Sequence, residues 1–230
     1  MNKGKLYGVG VGPGDPELLT AKAIRILGEC DVIAVPQSEN GGRTALEIAS
    51  CYIKDKPVRA FDMPMTHDRA ARNASHAAAA DAICALLDEG KNVAFLTLGD
   101  PTVYSTGWYV HKRVVSRGYD AELIPGVPSF CAAAARLGRA LCEDGEMLHI
   151  IPASHGKERE GLALPGSKVL MKAGRGVLRV REELRESGQL ENAALVERCG
   201  MEGELLVYDM DELREPSGYF SIILVKEERR

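Results

Sequence analysis

The alternation of short apolar runs with helix-like stretches in the first half of the chain restricts the possible folds more than any other feature. Five runs bounded by Gly, Pro or Asp have the length and composition of strands: KLYGVGVG, CDVIAVP, VRAFDMP, NVAFLTLGD and AELIPG. Helix-like stretches lie between them: PELLTAKAIRILGE, TALEIASCYI, about residues 67–89 and roughly residues 102–117. Strands that alternate with helices in this way indicate a parallel sheet with crossover helices.

The pattern changes from about residue 147, where strand-like runs follow one another more closely. These runs are MLHIIPA, SKVLMKA, AALVERC, ELLVYD and FSIILVKE, with one long helical segment, GVLRVREELRESG, among them. We therefore predict an α/β protein of two α/β domains, residues 1–122 with a mostly parallel sheet and residues 123–230 with a mixed sheet. The predicted boundary follows the turn at residues 118–120, and a chain of 230 residues has room for two compact domains.

Charge and cysteine usage argue against several classes of protein. The formal net charge is −4, and no basic run with interleaved aromatics is present, so we expect no nucleic-acid partner. No segment approaches the roughly 20 apolar residues of a membrane span, so we expect a cytoplasmic protein that does not enter a membrane. The six cysteines and five histidines show no ligand spacing, which predicts reduced thiols and no metal site.

The glycine-rich segment VGVGPGDPELLT, residues 9–20, connects the first predicted strand to a helix. Its two possible GxGxxG frames fail, because Pro13 and Asp15 stand where the third glycine is required, and the second strand ends in Pro36 rather than an acid. Proline has no N–H and aspartate would repel a pyrophosphate, so the turn suits a ligand that is not strongly anionic. S-adenosylmethionine, which has no phosphate and a positive sulfonium, fits. The alternative is a tight turn with Pro16 at the first helical position.

A second turn of similar composition, TLGDPTVYST at residues 97–106, follows the fourth predicted strand. In parallel sheets the carboxyl ends of strands lie at one edge, where α/β proteins bind ligands. Asp100 in this turn is an ionised group that can accept hydrogen bonds and favour positive charge in a ligand. The alternative role for Asp100 is a helix N-cap.

Together with later motifs, these turns resemble the tetrapyrrole (corrin/porphyrin) methyltransferase family over essentially the whole chain. The motifs occur in family order: VGVGPGDPELLT, LGDPTVYST, IPGVPSF followed by alanines, VLMKAGR, VERCG and the final strand YFSIILV. FDMPMTHD, TLGDPTVYST, MKAGR and ERCGMEGE are most similar to the enzymes that methylate C20 of precorrin-2 or of cobalt-factor II. One departure is Pro128, where relatives usually carry a small hydroxyl residue, so this position offers only shape and its carbonyl.

The resemblance implies an S-adenosylmethionine-dependent C-methyltransferase of cobalamin biosynthesis that acts on a tetrapyrrole and forms a homodimer. It further implies that the cofactor lies in a cleft between the two domains and is held largely by backbone groups. The implied cofactor contacts are Pro13, Leu98, Gly99, Asp100, Val103, Pro128, Ser129, Met171, Lys172, Cys199 and Gly200. The last four are expected on the adenine side.

By the same resemblance, the proton at C20 must leave after methylation, and a weak base could assist. Asp100, Tyr104 or a carboxylate of the substrate itself are the candidates, and the sequence does not choose among them.

The carboxylate side arms of the implied substrate call for cationic anchors. Arg43, beside a predicted helix N-terminus, is the candidate substrate-binding residue, and a solvent-facing arginine is the alternative. His67, Arg69 and Arg72 form a second candidate patch, for which helix-surface charge is the alternative.

Three other functions compete with this interpretation. The first is a sister methyltransferase that acts at another ring position or on a protein, and an assay that locates the new methyl group would distinguish it. The second is a nicotinamide-dependent oxidoreductase, against which Pro13 and the missing acid of the second strand argue. The third is a non-catalytic tetrapyrrole carrier, which would not bind a methyl donor.

Overall fold

The computed structural model describes residues 3–37, 44–64, 66, 68–153 and 156–227, and it divides into two compact units. The first unit is Met1–Pro128 and the second is Ser129–Arg230. The division falls after Pro128 rather than after residue 122, where the sequence analysis placed it. The reason is that the strand Ala121–Ile124 pairs in parallel with the strand Leu6–Gly10 and so belongs to the first sheet.

The first sheet is parallel throughout, and each of its strands lies within a run that the sequence analysis identified, except that the second strand extends one residue beyond its run, to Gln37. The strands are β1 (Leu6–Gly10), β2 (Val32–Gln37), β3 (Val58–Asp62), β4 (Val93–Thr97) and β5 (Ala121–Ile124). Their order across the sheet is β3-β2-β4-β1-β5. β1 therefore lies between β4 and β5, although β4 and β5 come much later in the chain.

Helices cover both faces of this sheet: α1 (Ala21–Glu29), α2 (Thr44–Ile53), α3 (Arg69–Asp88) and α4 (Thr106–Ser116). Alternation along β2 shows how the faces are formed, because successive side chains of a strand point to opposite sides. Ile33 and Val35 are buried in a core with residues of α1 and α2, whereas Val32 and Ala34 are buried in a second core with residues of α3 and α4.

The first helix differs from its prediction, because the stretch from Pro16 to Glu29 is not one continuous helix. A short 3₁₀ helix spans Pro16–Leu18, and the Asp15 side chain caps it by accepting the Glu17 N–H. α1 then begins after its own N-cap, Thr20. Side chains that cap backbone N–H groups compete with helix continuation, which explains the break.

The second unit contains a mixed sheet, in agreement with the sequence analysis. Its strands are β6 (Leu148–Pro152), β7 (Ser167–Met171), β8 (Ala193–Glu197), β9 (Leu205–Val207) and β10 (Ser221–Val225), in the order β6-β7-β10-β8-β9. β6 and β7 are parallel, and the other neighbours are antiparallel. Its helices are α5 (Ser129–Leu137), α6 (Glu158–Leu162) and α7 (Val177–Glu186).

The sequence analysis identified α7 but not α5 or α6. Val180 and Leu184 of α7 are buried against Leu195 and Ile223 of the sheet, as its apolar spacing indicates. α5 contacts β8 and β10, and its helical state depends on that contact because a helix of nine residues is marginal by itself in water.

Candidate functional site

The turns that follow β1 and β4 are hydrogen-bonded to each other at the carboxyl edge of the first sheet. The Gly99 N–H donates to the Gly12 carbonyl at 2.8 Å, and the Gly12 N–H donates to the Gly99 carbonyl at 3.3 Å. The Val11 N–H donates to the Thr97 carbonyl at 3.0 Å just before them. Both glycines have left-handed φ angles, +76° for Gly12 and +72° for Gly99, which residues with a Cβ adopt only with strain.

A third turn, after β5, joins the first two through backbone contacts that exclude any side chain. A Cβ atom added to Gly10 would lie 2.7 Å from the Gly99 carbonyl oxygen and 2.6 Å from the Gly126 nitrogen. A Cβ atom added to Gly126 would lie 2.2 Å from the same Gly99 oxygen. The three turns therefore contact one another through backbone atoms alone, and glycine is required at these contacts.

The carboxylate of Asp100 links the second turn to the third. One oxygen accepts the Thr102 N–H at 2.8 Å and the Thr102 hydroxyl at 2.5 Å. The other oxygen accepts the Gly126 N–H at 3.1 Å. Asp100 is not the N-cap of α4, a position that Ser105 occupies, so the alternative role from the sequence analysis is wrong. Asp100 instead holds two turns together and leaves a negative charge beside them.

The other predicted residues of this loop lie close in sequence and differ in exposure. Leu98 and Val103 are partly buried, and the Val103 N–H donates to the Asp100 carbonyl at 3.2 Å. Tyr104 is 48% exposed and has a φ of +48°. Such a backbone conformation costs a bulky residue on the order of 1–3 kcal/mol and is concentrated at functional sites.

Pro13 and Pro128 complete the set of predicted cofactor residues in the first unit. Pro13 is buried in the turn after β1, between the two glycines of GPG. Pro128 is partly buried and ends the unit. Neither residue has an N–H to offer, so a ligand here meets their ring surfaces and carbonyls.

In the second unit, the structure brings the predicted residues to one edge of the sheet. Met171 ends β7 and Lys172 follows it, whereas Cys199 and Gly200 follow β8. β7 and β8 both run antiparallel to β10, which lies between them, so their carboxyl ends lie on the same side. Ser129 is the first residue of α5.

Lys172 combines an unusual backbone with a partly buried side chain. Its φ is +62°, in the left-handed region, and burial lowers the pKa of its ammonium group. A left-handed lysine at the end of a buried strand is uncommon, which marks this turn as a specialised one.

Sequence reasoning assigned no role to Gly126 or Glu204, although both lie in motifs that it singled out. Gly126 supplies the N–H that Asp100 binds. Glu204, the last residue of ERCGMEGE, binds the Gly200 N–H at 2.9 Å. The Pro-Gly pair after β5 signals a turn, but only the strand order shows which other turns it touches.

The predicted substrate anchors are only partly described. Arg43 and His67 lie outside the described residues. Arg72 donates to the Thr66 carbonyl at 3.0 Å and so stabilises the start of α3, and Arg69 is exposed.

The described residues contain no group of three or more His, Cys, Asp or Glu side chains that could hold a metal ion. Within the same parts of the chain, no helix combines the length and the apolar character needed to cross a membrane. The cysteines are free thiols, and Cys30, Cys84 and Cys199 are buried.

Comparisons with known proteins agree on one family. The sequence model of the Tetrapyrrole (Corrin/Porphyrin) Methylases matches residues 5–213. The chain is 35% identical over 231 residues to the cobalt-precorrin-2 C(20)-methyltransferase of Salmonella typhimurium, covering 98% of this chain and 97% of that protein. It is 37% identical over 241 residues to cobalamin biosynthesis protein CobIJ of Mycobacterium bovis, covering 99% of this chain but 47% of that protein. The chain thus spans about half the length of the latter.

A solved structure supports the same relationship. The crystal structure of uroporphyrin-III-C-methyltransferase from Thermus thermophilus superposes with a TM-score of 0.68 and 26% identity. The match covers 97% of this chain and 94% of that chain.

The contact between the three turns predicts a large difference between two glycine substitutions. Gly10→Ala should destabilise the first unit by about 1–3 kcal/mol, because the new methyl group meets backbone atoms of Gly99 and Gly126. Gly28→Ala should stabilise it by about 0.5–1 kcal/mol, because Gly28 is exposed on α1 and an added Cβ would meet no atom within 4 Å other than the adjoining helix backbone. Urea unfolding followed by fluorescence of Trp108, the single tryptophan, measures both. Equal stabilities for the two variants would contradict the described contact.

Proposed function

Because the chain belongs to the tetrapyrrole (corrin/porphyrin) methylase family, we propose that it transfers a methyl group from S-adenosylmethionine to C20 of precorrin-2 or its cobalt form in cobalamin biosynthesis. The observation that carries the proposal is the similarity to the Salmonella C20-methyltransferase, which extends over nearly the whole of both chains. The motifs that distinguish C20-methylating enzymes in the sequence analysis lie within this match.

The first unit offers a surface that suits the sulfonium and amino end of the cofactor. We propose that its contacts are Pro13, Leu98, Gly99, Asp100, Val103 and Pro128. Pro13 and Pro128 present no N–H to a phosphate, and the nearby carboxylate of Asp100 favours positive charge. This combination disfavours a dinucleotide and favours a phosphate-free cation.

The adenine side of the cofactor is assigned to the second unit. The proposed adenine contacts are Met171, Lys172, Cys199 and Gly200, which lie at the same edge of the sheet. Ser129, the first residue of α5, is a further proposed cofactor contact of this unit, next to Pro128 in the sequence. The turns at Lys172 and Gly200 have left-handed φ angles of +62° and +72°. In such turns the backbone N–H and C=O groups point away from the hydrogen bonds of the sheet. They can then bind the edge of a base.

When bound, S-adenosylmethionine supplies an electrophilic methyl group on a positively charged sulfur. The residues of this chain act mainly by orientation, because in-line attack by C20 needs the two molecules held in one geometry. Such positioning contributes up to roughly 7–11 kcal/mol in favourable cases. Asp100 keeps the second and third turns together, and this gives the first unit a rigid surface for that purpose.

Removal of the C20 proton completes the reaction, and we propose Tyr104 and Asp100 as the catalytic residues. The Asp100 oxygens already accept hydrogen bonds from Thr102 and Gly126, so its charge acts mainly on the local potential. The Tyr104 side chain is 48% exposed on the same loop and can relay the proton to solvent or to a substrate carboxylate.

The remaining assignments follow from the family resemblance. We propose that the protein works as a cytoplasmic homodimer, and that Arg43 binds a carboxylate side arm of the tetrapyrrole. A second candidate, methylation at another ring position, is favoured by the likeness to the uroporphyrin-III-C-methyltransferase of Thermus thermophilus.

The purified chain should add one methyl group to precorrin-2 or to its cobalt form when S-adenosylmethionine is supplied. Mass spectrometry of the product measures the addition, and NMR with a ¹³C-labelled donor locates the carbon. Incubation without the donor is the control. A label at a ring position other than C20 would support the second candidate and reject C20 methylation, and no transfer to either acceptor would reject both.

Asp100→Ala should weaken binding of S-adenosylhomocysteine about tenfold or more and lower thermal stability. The reason is that the buried Gly126 N–H loses its acceptor, which costs about 1–3 kcal/mol for an unsatisfied buried group, whereas the exposed Thr102 N–H can turn to water. Asp209→Ala is the matched control, because Asp209 accepts a single turn N–H at 2.8 Å in the second unit. Calorimetry measures affinity, and unchanged binding by Asp100→Ala would remove this residue from the site.

Tyr104→Phe should lower kcat about 10- to 100-fold while leaving the affinity for S-adenosylhomocysteine unchanged, since only the hydroxyl is lost. Tyr109→Phe is its control, because Tyr109 is a similarly exposed tyrosine on α4. Single-turnover methyl transfer measures the chemical step. If kcat equalled that of the wild type, Tyr104 would not take part in removal of the C20 proton.

A further inference from the structure

One carboxylate in the second unit, that of Glu204, binds groups from two separate parts of the chain. Its Oε1 accepts the Gly200 N–H at 2.9 Å, and the Cys199 thiol also donates a hydrogen bond to it. Both oxygens accept the Arg136 Nε–H at 3.0 Å, and Arg136 Nη2 donates to Oε2 as well. Glu204 therefore connects two of the proposed adenine-side residues to α5.

The loop that Glu204 contacts, residues 198–202, has an unusual backbone conformation that depends on surrounding hydrogen bonds. Arg198 and Gly200 have φ angles of +53° and +72°. The Met201 N–H donates to the Arg198 carbonyl at 2.9 Å, and Arg198 Nε donates to the Glu202 carbonyl at 2.7 Å. A loop with two left-handed residues in three positions keeps one conformation only where surrounding contacts determine it.

Arg136 anchors the carboxylate to a rigid element. It lies in the last turn of α5, which contacts β8 and β10, and it is 68 residues away from Glu204 in the sequence. The Glu204 side chain is 16% exposed, whereas that of Arg136 is 54% exposed. A guanidinium that donates to both carboxylate oxygens fixes the orientation of the carboxylate more firmly than a single hydrogen bond does.

The charge state of Glu204 supports this arrangement. The hydrogen bond from Arg136 is the main cause that holds the pKa of Glu204 below its ordinary value, and burial opposes it. Because the pKa is lower in the folded state, the pair contributes its full stability above the ordinary pKa of glutamate and loses it as the pH falls through the lower pKa of the folded state. Measurements at pH 7–8 therefore examine the ionised pair.

We propose that Glu204, paired with Arg136, is a positioning residue that sets the conformation of the Cys199–Gly200 turn for binding the adenine side of the cofactor. This inference rests on the proposed function, since it requires that the turn contacts the cofactor. Glu204 acts through the turn, because its oxygens are bound to Arg136, Cys199 and Gly200.

A purely structural ion pair of the same unit provides the contrast. Arg159 and Glu186 form a salt bridge at 2.8 Å with side chains 79% and 68% exposed. Exposed pairs of this kind contribute little to stability, because water screens the attraction between the two charges. Loss of that pair should leave the Cys199–Gly200 turn unchanged.

The test compares Glu204→Gln with Glu186→Gln in the full-length chain. The Gln amide must direct its NH₂ group at one of the donors that surround Glu204, so the turn loses a hydrogen bond and gains a repulsive contact. We expect Glu204→Gln to raise the Kd for S-adenosylhomocysteine about tenfold by calorimetry at pH 7.5, and Glu186→Gln to bind as the wild type does. In steady-state assays, KM for S-adenosylmethionine should rise while kcat and the tetrapyrrole KM change less than twofold.

Arg136→Lys keeps the charge but loses the fork of donors, and it provides a second variant should Glu204→Gln fail to fold. We expect a Kd about threefold higher, and the Arg136→Lys/Glu204→Gln double variant should bind no more weakly than Glu204→Gln, because Arg136 acts through Glu204. Wild-type affinity in folded Glu204→Gln and Arg136→Lys would overturn this inference alone. Failure of the wild-type chain to bind S-adenosylhomocysteine would overturn the proposed function together with it.

Discussion

The close approach of three glycine-containing turns at the carboxyl edge of the first sheet is the constraint on which the candidate site depends. Gly10, Gly99 and Gly126 meet through main-chain atoms, and a single added Cβ would displace the backbone. Asp100 then joins two of the turns through the Thr102 and Gly126 N–H groups. With no side chain between them, these turns offer backbone carbonyls, proline rings and one negative charge to a ligand.

This arrangement depends on the order of the strands rather than on their sequence. β1 is the first strand of the chain, yet it lies between β4 and β5, so turns about 90 and 115 residues after the first become its neighbours. In the second sheet, too, strand order brings distant turns together. β10 lies between β7 and β8 and is antiparallel to both, so the carboxyl ends of β7 and β8 lie on the same side. In each unit, ligand-binding candidates are thus collected at one sheet edge by topology.

Carboxylates that bind backbone N–H groups recur in both units. Asp100 holds Gly126 in the first, and Glu204 holds Gly200 in the second. Both acids use their charge to determine the path of a turn, which explains how a site built from main-chain groups keeps its geometry. A turn shaped in this way can vary its other side chains, but the acid that shapes it is constrained by the N–H donors that it must reach.

The sequence by itself determined the strands and the fold class: each strand in the described part of the chain corresponds to a short apolar run, and the GPGD and GDP turns were recognised from glycine, proline and aspartate. It also indicated the family, because ordered motifs along the whole chain are specific. Tertiary structure decided what local sequence cannot encode. The role of Asp100 as a link to Gly126 rather than an N-cap, the helix α5, and the Arg136–Glu204 pair all arise between residues far apart in the chain. Their partners are set by strand order and packing, and no local pattern of residues contains that information.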